Sequence, residues 1–145
     1  MISSKTSFIA LIGNPVSHSL SPIMQNAALQ YLGLDLIYIA VPCKDEDLGL
    51  VLNSFKKINC KGLNITIPYK EKVFNLCSEI SPIANKLKAI NTLKLNSEKK
   101  WSATNTAVEY VSDFLVGTVV FRFIIFVITP PKVSTPRESL SLIHI

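Results

Sequence analysis

The apolar positions of the 145-residue chain form short runs that alternate with helix-like segments about every dozen residues. Runs at 8–13, 34–42 and 61–68 have the apolar and β-branched content of buried strands, and residues 90–96 alternate in part. The predicted helices span residues 22–33, 45–58, 69–77 and 81–89. Because parallel strands need crossover helices, this order predicts an α/β fold, a three-layer α/β/α sandwich with a mainly parallel sheet.

The buried faces of the first two helices follow from the same periodicity. In the first, Met24, Ala27, Ala28 and Tyr31 recur at helical spacing, which predicts one apolar stripe against the sheet, with Ser21 as the N-cap. The face predicted for the second helix comprises Leu48, Val51, Leu52, Phe55 and Ile58. Each helix is therefore expected to bury one side on the sheet.

Composition narrows the class of protein. Hydrophobic residues make up 48% of the chain and charged residues 17%, which excludes a disordered polymer. The net charge of +5 comes from scattered lysines, so a small anionic substrate is favoured over nucleic acid. Cys43, Cys60 and Cys77 are too far apart for a structural zinc site, and their sparse, odd number favours the cytoplasm. The N-terminus is too polar for a signal peptide.

The pattern changes near residue 115. Residues 115–128 are strongly apolar, but 14 residues that include Arg122 are too few for a spanning helix, so no membrane association is expected. The Pro- and Ser-rich residues 129–145 are predicted to be disordered. We therefore divide the chain into a domain at 1–114 and an apolar segment with a tail at 115–145.

The loop that follows the first strand carries the first candidate chemistry. Residues 14–22 read NPVSHSLSP, so Ser19 and Ser21 stand just ahead of a predicted helix. A helix N-terminus attracts anions, and two hydroxyls on an extended backbone can point to the same side. The pair could grip a carboxylate, or Ser21 could simply cap the helix.

Two further segments carry candidate polar groups. Thr66 ends the third strand, and Lys70 is predicted in the first turn of the next helix, where the helix dipole favours a neutral amine suited to acid–base chemistry. Asn91 follows two apolar residues, where its amide could bind a hydroxylated ligand. The alternatives are a solvated surface lysine and an asparagine that holds a loop.

Taken together, the three segments resemble the N-terminal substrate-binding domain of shikimate dehydrogenase. The segments read GNPVSHSLSP, NITIPYK and AINTL, in the order and at the spacing of that family's signatures, and the resemblance covers roughly residues 8–106. It implies the fold of that domain and an NADP-dependent oxidoreductase that interconverts shikimate and 3-dehydroshikimate. This reaction belongs to the route to chorismate and the aromatic amino acids.

The resemblance also implies roles for individual residues. Ser19 and Ser21 would bind the carboxylate of shikimate, and Thr66 and Asn91 would contact its ring hydroxyls. Lys70 would take the catalytic proton as the alcohol becomes a ketone and hydride passes to NADP. The expected partner is therefore a small-molecule substrate rather than nucleic acid or a membrane.

This sequence departs from the family pattern in two places. Ala107 stands where the family has an aspartate beside its catalytic lysine. No two of the chain's five glycines are spaced as a dinucleotide-binding loop requires, and 40 residues after Asn105 are too few for a cofactor domain. We therefore expect this chain neither to bind NADP nor to turn over alone.

The end of the likeness near residue 107 suggests a shifted reading frame, since SLSLIHI at 139–145 resembles a translated sequencing adaptor. A non-catalytic binding module for a hydroxylated carboxylic acid is the alternative function. The substitution at Ala107 favours that alternative if the sequence is authentic.

Overall fold

A computed structural model describes residues 2–109 of the chain. The strands are β1 Ser7–Gly13, β2 Leu36–Pro42, β3 Cys60–Ile65, β4 Glu79–Ile80, β5 Thr92–Leu95 and β6 Trp101–Thr104. The α-helices are α1 Ser21–Tyr31, α2 Leu48–Phe55, α3 Pro82–Leu87 and α4 Thr106–Glu109, with 3₁₀ helices at Asp45–Asp47 and Lys72–Leu76. The boundary predicted at residue 114 and the segment at 115–145 lie outside the described residues.

The six strands form one sheet in the order β2-β1-β3-β5-β6-β4. β1 runs parallel to both β2 and β3, and β4 runs parallel to β6. β5 is antiparallel to its neighbours β3 and β6. The sheet is therefore mixed, and the carboxyl ends of β1 and β3 meet at one edge, where ligands of α/β proteins gather.

Alternate residues of β1 point to opposite faces of the sheet and enter two separate cores. Ile9 and Leu11 pack with Leu29 of α1, whereas Ala10 and Ile12 pack in the core that contains Leu52 of α2. Ala84 of α3 belongs to that second core. Helices thus cover both faces, and the predicted three-layer α/β arrangement is confirmed.

The stripe predicted on α1 is wrong. Tyr31 is 75% exposed and Met24 is 43% exposed, while the buried positions are Gln25 and Leu29. The rotation of the helix is set by Asn26, whose amide donates to the C=O of Tyr38 at 2.8 Å and accepts its N–H at 2.8 Å. Asn26 therefore pairs with the backbone of edge strand β2, and this pairing turns Gln25 and Leu29 inward.

The second helix is shorter than the periodicity predicts. Leu48 and Leu52 are buried as expected, and Val51 and Phe55 pack on the same core. Ile58, however, is 52% exposed because α2 ends at Phe55. None of the helices in the part of the chain that the structure describes is long and apolar enough to cross a membrane.

Candidate functional site

Residues 14–20, here called the serine loop, connect β1 to α1. Their backbone makes a turn before α1 and is not extended as we predict. Leu20, between the two serines, has helical dihedral angles (φ −82°, ψ −7°), and it rather than Ser21 is the N-cap of α1. The hydroxyl of Ser19 accepts the N–H of Ser21 at 3.2 Å. Both serines are half-buried, so their hydroxyls stand at the start of α1 with partial access to solvent.

The end of β3 packs directly against the end of β1. The N–H of Thr66 donates to the carbonyl of Ile12 at 2.9 Å. A Cβ on Gly13 would lie 2.3 Å from Cγ2 of Thr66 and 2.9 Å from the carbonyl oxygen of Ile67. Glycine at position 13 therefore lets Thr66 approach the entrance of the serine loop.

Lys70 lies in a turn, and the helix predicted around it is wrong. β3 ends at Ile65, and the helix that follows is a 3₁₀ helix that begins only at Lys72. The argument from a helix dipole therefore does not apply to Lys70. Its half-buried side chain is placed by the backbone, because the carbonyl of Lys70 accepts the N–H of Ile90 at 2.8 Å.

Asn91 is held between three strands. Its carbonyl accepts the N–H of Ile65 at 2.8 Å, and its N–H donates to the carbonyl of Thr104 at 3.2 Å. Its side-chain oxygen accepts the N–H of Thr106 at 2.9 Å and the hydroxyl of Thr92 at 2.9 Å. The Asn91 amide group donates to no residue in the described part of the chain, so its two protons remain for a ligand.

Ala107, where the resemblance predicts the family's aspartate, comes directly after a residue that Asn91 holds. Thr106, whose N–H is held by Asn91, is the first residue of α4, and Ala107 is the second. The side chain of Ala107 is exposed. The preceding residue, Asn105, donates to the carbonyl of Ala89 at 3.0 Å, while its buried Oδ1 has no partner among the described residues.

Sequence reasoning missed a series of hydrogen bonds that joins strand β2 to the asparagine side of the site. The hydroxyl of Tyr38 donates to Oδ1 of Asn64 at 2.7 Å. The Nδ2 of Asn64 donates to the carbonyl of Asn91 at 3.2 Å and to the hydroxyl of Thr92 at 3.4 Å. A buried tyrosine hydroxyl needs a partner, but the sequence does not tell which residue supplies it.

The structure thus brings the predicted residues to one edge of the sheet. Tyr38 is linked to Asn91 through Asn64, and Thr66 packs on Gly13. Lys70 lies one backbone hydrogen bond from the residue before Asn91. A cavity of about 460 Å³ lies instead near the opposite ends of β1 and β2, lined by Thr6, Asn26 and Asp35 among others. That cavity contains none of the predicted residues.

The turn that follows β1 does not fit the phosphates of a dinucleotide. A phosphate-binding loop needs open backbone after the strand, but the space beside Gly13 is filled by Thr66 and Val16. The other described glycines in contact-free positions, Gly33 and Gly49, lie at the end of α1 and within α2. Residues 2–109 contain no group of three or more His, Cys, Asp or Glu side chains placed to hold a metal ion.

Comparison with known proteins agrees with this geometry. The family profile described as the shikimate dehydrogenase substrate binding domain matches residues 11–93. The chain is 95% identical over 109 residues to the NADP(+) shikimate dehydrogenase of Prochlorococcus marinus strain AS9601, and 41% identical over 107 residues to that of Thermosynechococcus vestitus. These matches cover 75% and 74% of this chain but only 38% and 37% of the relatives' length.

Solved structures give the same result. A shikimate dehydrogenase in complex with NADP⁺ superposes with a TM-score of 0.71 at 40% identity, over 73% of this chain and 37% of its own. The Thermus thermophilus enzyme in complex with shikimate superposes with a TM-score of 0.67 at 34% identity, over 71% and 39%. The chain therefore belongs to the shikimate dehydrogenase family, and its described residues form the family's substrate-binding domain.

Proposed function

We propose that this domain binds shikimate and 3-dehydroshikimate at the edge where β1 and β3 end. Ser19 and Ser21 face the carboxylate, and Thr66 and Asn91 contact the ring hydroxyls. The start of α1 supports this placement, since the positive end of a helix favours a negative group. The two protons of the Asn91 amide, which no described residue uses, suit a hydroxyl oxygen of the ring.

The observation that carries the proposal is the shared anchoring of three separate segments. The N–H of Asn14, in the serine segment, donates to the carbonyl of Ile67, and the N–H of Ile65 donates to the carbonyl of Asn91. The carbonyl of Lys70 accepts the N–H of Ile90, next to Asn91. Residues far apart in the chain therefore converge as the three signature segments require. A solvated surface lysine would need no such common frame.

Lys70 is the proposed catalytic residue. Its amine takes the proton from the substrate alcohol as the carbon becomes a ketone, and returns the proton in the reverse direction. The half-buried position of Lys70 beside the Asn91 segment suits this role, since a proton acceptor must reach the hydroxyl directly. Thr66, one turn earlier, accepts the N–H of Tyr69 and so fixes the turn that presents Lys70.

The complete reaction is the NADP-dependent reduction of 3-dehydroshikimate to shikimate. It needs more than residues 2–109 supply, because the backbone after β1 does not fit a dinucleotide. We therefore propose that the 145-residue chain binds substrate weakly, does not bind NADP and does not turn over alone. We retain the domain boundary near residue 114, and the three unpaired cysteines support a cytoplasmic, reducing location.

Isothermal titration calorimetry with shikimate tests the binding proposal. The wild-type chain is expected to give saturable heats, and a Ser19→Ala/Ser21→Ala double variant is expected to lose most of them. Tyr31→Phe, which removes an exposed hydroxyl from the far end of α1, is the control. Equal heats for wild type and the serine variant would refute the assignment of the carboxylate.

A second candidate, a non-catalytic module that binds a hydroxylated carboxylic acid, is favoured by Ala107 alone. Alanine at this position can neither accept a proton nor hydrogen-bond a substrate. The two candidates separate when the remainder of the Prochlorococcus marinus relative is joined to residues 1–106, with and without aspartate at position 107. NADP reduction that depends on that aspartate and on Lys70 indicates an interrupted enzyme, whereas shikimate binding without reduction indicates the module.

A further inference from the structure

A buried hydrogen bond anchors Tyr69, the residue before Lys70. Tyr69 is 1% exposed, and its ring packs in the core that contains Ala10 and Leu52. Its hydroxyl donates to the carbonyl of Cys43 at 2.5 Å. A phenylalanine would fill the same space, so packing alone does not account for a hydroxyl in this core. A buried hydroxyl needs a partner, and the carbonyl of Cys43 supplies it.

Cys43 connects this hydrogen bond to the start of the serine loop. Cys43 follows β2 and is itself buried. Its N–H donates to the carbonyl of Gly13, the last residue of β1, at 3.2 Å. Cys43 thus binds Gly13 through its N–H and Tyr69 through its carbonyl. Because the serine loop begins directly after Gly13, it shares an anchor with residues 66–71, here called the lysine turn.

The backbone of the lysine turn is bonded on both sides of the Lys70 side chain. The N–H of Tyr69 donates to the carbonyl of Thr66 at 3.0 Å, and the carbonyl of Tyr69 accepts the N–H of Val73 at 3.0 Å. The carbonyl of Lys70 accepts the N–H of Ile90 at 2.8 Å. The direction in which the Lys70 side chain leaves the turn therefore depends on where Tyr69 is held.

An ion pair joins the same two segments but is the weaker link. Nζ of Lys72 lies 2.5 Å from the carboxylate of Asp45, and the two side chains are 50% and 60% exposed. Ion pairs this exposed contribute little to stability, because water and salt screen the charges. The hydrogen bond from Tyr69 to Cys43 is buried, where hydrogen bonds are stronger, so it is the main link between the end of β2 and the lysine turn.

We propose that Tyr69 is a positioning residue, whose hydroxyl holds the lysine turn on Cys43 and thereby presents the amine of Lys70 to the substrate. The inference rests on the proposed function, because Lys70 is the proposed catalytic residue. Tyr69 is buried, so it acts through Lys70 rather than by contact with the substrate. Its effect on a ligand should therefore depend on the presence of the Lys70 amine.

The experiment is a double-mutant cycle on the shikimate affinity of the 145-residue chain. Tyr69→Phe is expected to weaken binding about 5-fold, as the loss of one neutral hydrogen bond implies. In the Lys70→Met background, which keeps the stem of the side chain and removes the amine, Y69F is expected to have no effect. The same loss in both backgrounds would overturn the proposal, since a merely structural role predicts it. No loss in either background would overturn it as well.

Two further variants serve as controls. Tyr31→Phe removes the hydroxyl of a tyrosine that is 75% exposed, and Lys72→Met breaks the exposed ion pair with Asp45. Each is expected to change the affinity less than about 2-fold. If K72M weakens binding as much as Y69F does, the position of Lys70 does not depend specifically on the tyrosine hydroxyl, which would contradict the proposal.

Hydrogen exchange of backbone amides tests the anchoring without a ligand. The N–H of Ile90 reports on the lysine turn, because it donates to the carbonyl of Lys70. The N–H of Leu93, which lies in β5 between two other strands, reports on the sheet. Y69F is expected to accelerate exchange at Ile90 about 10-fold more than at Leu93. Equal acceleration at both positions would show that the hydroxyl supports only the overall stability, and would overturn the proposal.

The two measurements separate this inference from the proposed function. If the wild-type chain does not bind shikimate, the proposed function fails. Exchange at Ile90 then still decides whether the Tyr69 hydroxyl holds the lysine turn. If shikimate binds but Y69F leaves both the affinity and the exchange at Ile90 unchanged, only the role of Tyr69 is wrong.

Discussion

The side-chain oxygen of Asn91 accepts the backbone N–H of Thr106 at 2.9 Å, so the residue that we propose contacts the substrate also holds the start of α4. One amide thus has two roles. Its oxygen accepts hydrogen bonds that stabilise the fold, and its nitrogen is the proposed donor to the substrate. Substitutions can separate them, because aspartate keeps the acceptor and loses the donor.

Asn91→Asp is expected to change the unfolding free energy by less than about 1 kcal/mol and to weaken shikimate binding at least about 10-fold. Asn91→Ala should weaken binding and also cost about 1–3 kcal/mol, because the N–H of Thr106 and the hydroxyl of Thr92 lose their acceptor. Urea unfolding and calorimetry give the two quantities. Wild-type affinity in N91D would show that the amide nitrogen does not touch the ligand.

Gly13→Ala is expected to destabilise the domain by about 1–3 kcal/mol and to disturb the pocket, because the new Cβ would lie 2.3 Å from Cγ2 of Thr66. The strain falls on the contact that brings Thr66 to the serine loop, so shikimate affinity should fall as well. Denaturant unfolding and calorimetry on the same samples measure both effects.

Gly49 provides the matched control for this substitution. It lies within α2, and a Cβ there would meet nothing within 4 Å. Gly49→Ala is therefore expected to stabilise the domain by about 0.5–1 kcal/mol, since alanine is the better helix former. If the G13A variant is as stable as wild type, Thr66 can move away from the end of β1 without a loss of folding free energy.

The order of β1, α1, β2, α2, β3, α3 and β5 could be predicted from periodicity, because each apolar run has a length typical of its element. Strands β4 and β6 could not, since two and four residues are too short to show a period. Which side of a helix faces the sheet could not, as α1 shows. Its apolar residues allow more than one stripe, and the choice is made by Asn26, whose partner is the backbone of β2. The pattern of apolar residues does not show which polar side chain will hydrogen-bond to a strand edge, so it cannot predict the rotation of the helix.

In the candidate site, too, some residues could be predicted from the sequence and others could not. Ser19, Ser21, Thr66, Lys70 and Asn91 could be selected because they stand where predicted elements meet, and the resemblance named their chemistry. Tyr38 and Asn64 could not be selected, because both stand inside strands and act through partners on other strands. The α-helix predicted at Lys70 is wrong. A 3₁₀ helix at Lys72–Leu76 buries Val73 in the same core, so the apolar pattern does not distinguish the two kinds of helix.

Alkaline pH is expected to destabilise the domain through Cys60. Burial raises the pKa of this thiol from an ordinary value of 9.0 to about 12. The folded state therefore retains a proton that the unfolded state loses, so stability is complete below about pH 9 and falls as the pH rises toward 12. The slope due to one such group is at most about 1.4 kcal/mol per pH unit.

Urea unfolding of wild type and Cys60→Ala at about pH 8 and about pH 10.5 measures this contribution. The variant loses a buried side chain and starts from a lower stability, so only its change with pH is compared. The difference between the two proteins should shrink at the higher pH. Parallel losses in both would assign the alkaline instability to other groups, with Tyr38, whose pKa burial also raises, as the next to test.

Ala107→Asp is expected to strengthen shikimate binding about 10-fold in the 145-residue chain. Position 107 is exposed and follows Thr106, which Asn91 holds, so a carboxylate there would stand next to the proposed contact of the ring hydroxyls. Hydrogen bonds to a charged acceptor contribute about 1.5–3 kcal/mol, and an acidic residue in the first turn of α4 should not lower stability. Ala107→Asn has the same shape without the charge, so it should give a smaller gain. If calorimetry finds equal affinities for A107D and wild type, residue 107 does not reach the ligand, and the departure at this position does not explain a loss of chemistry.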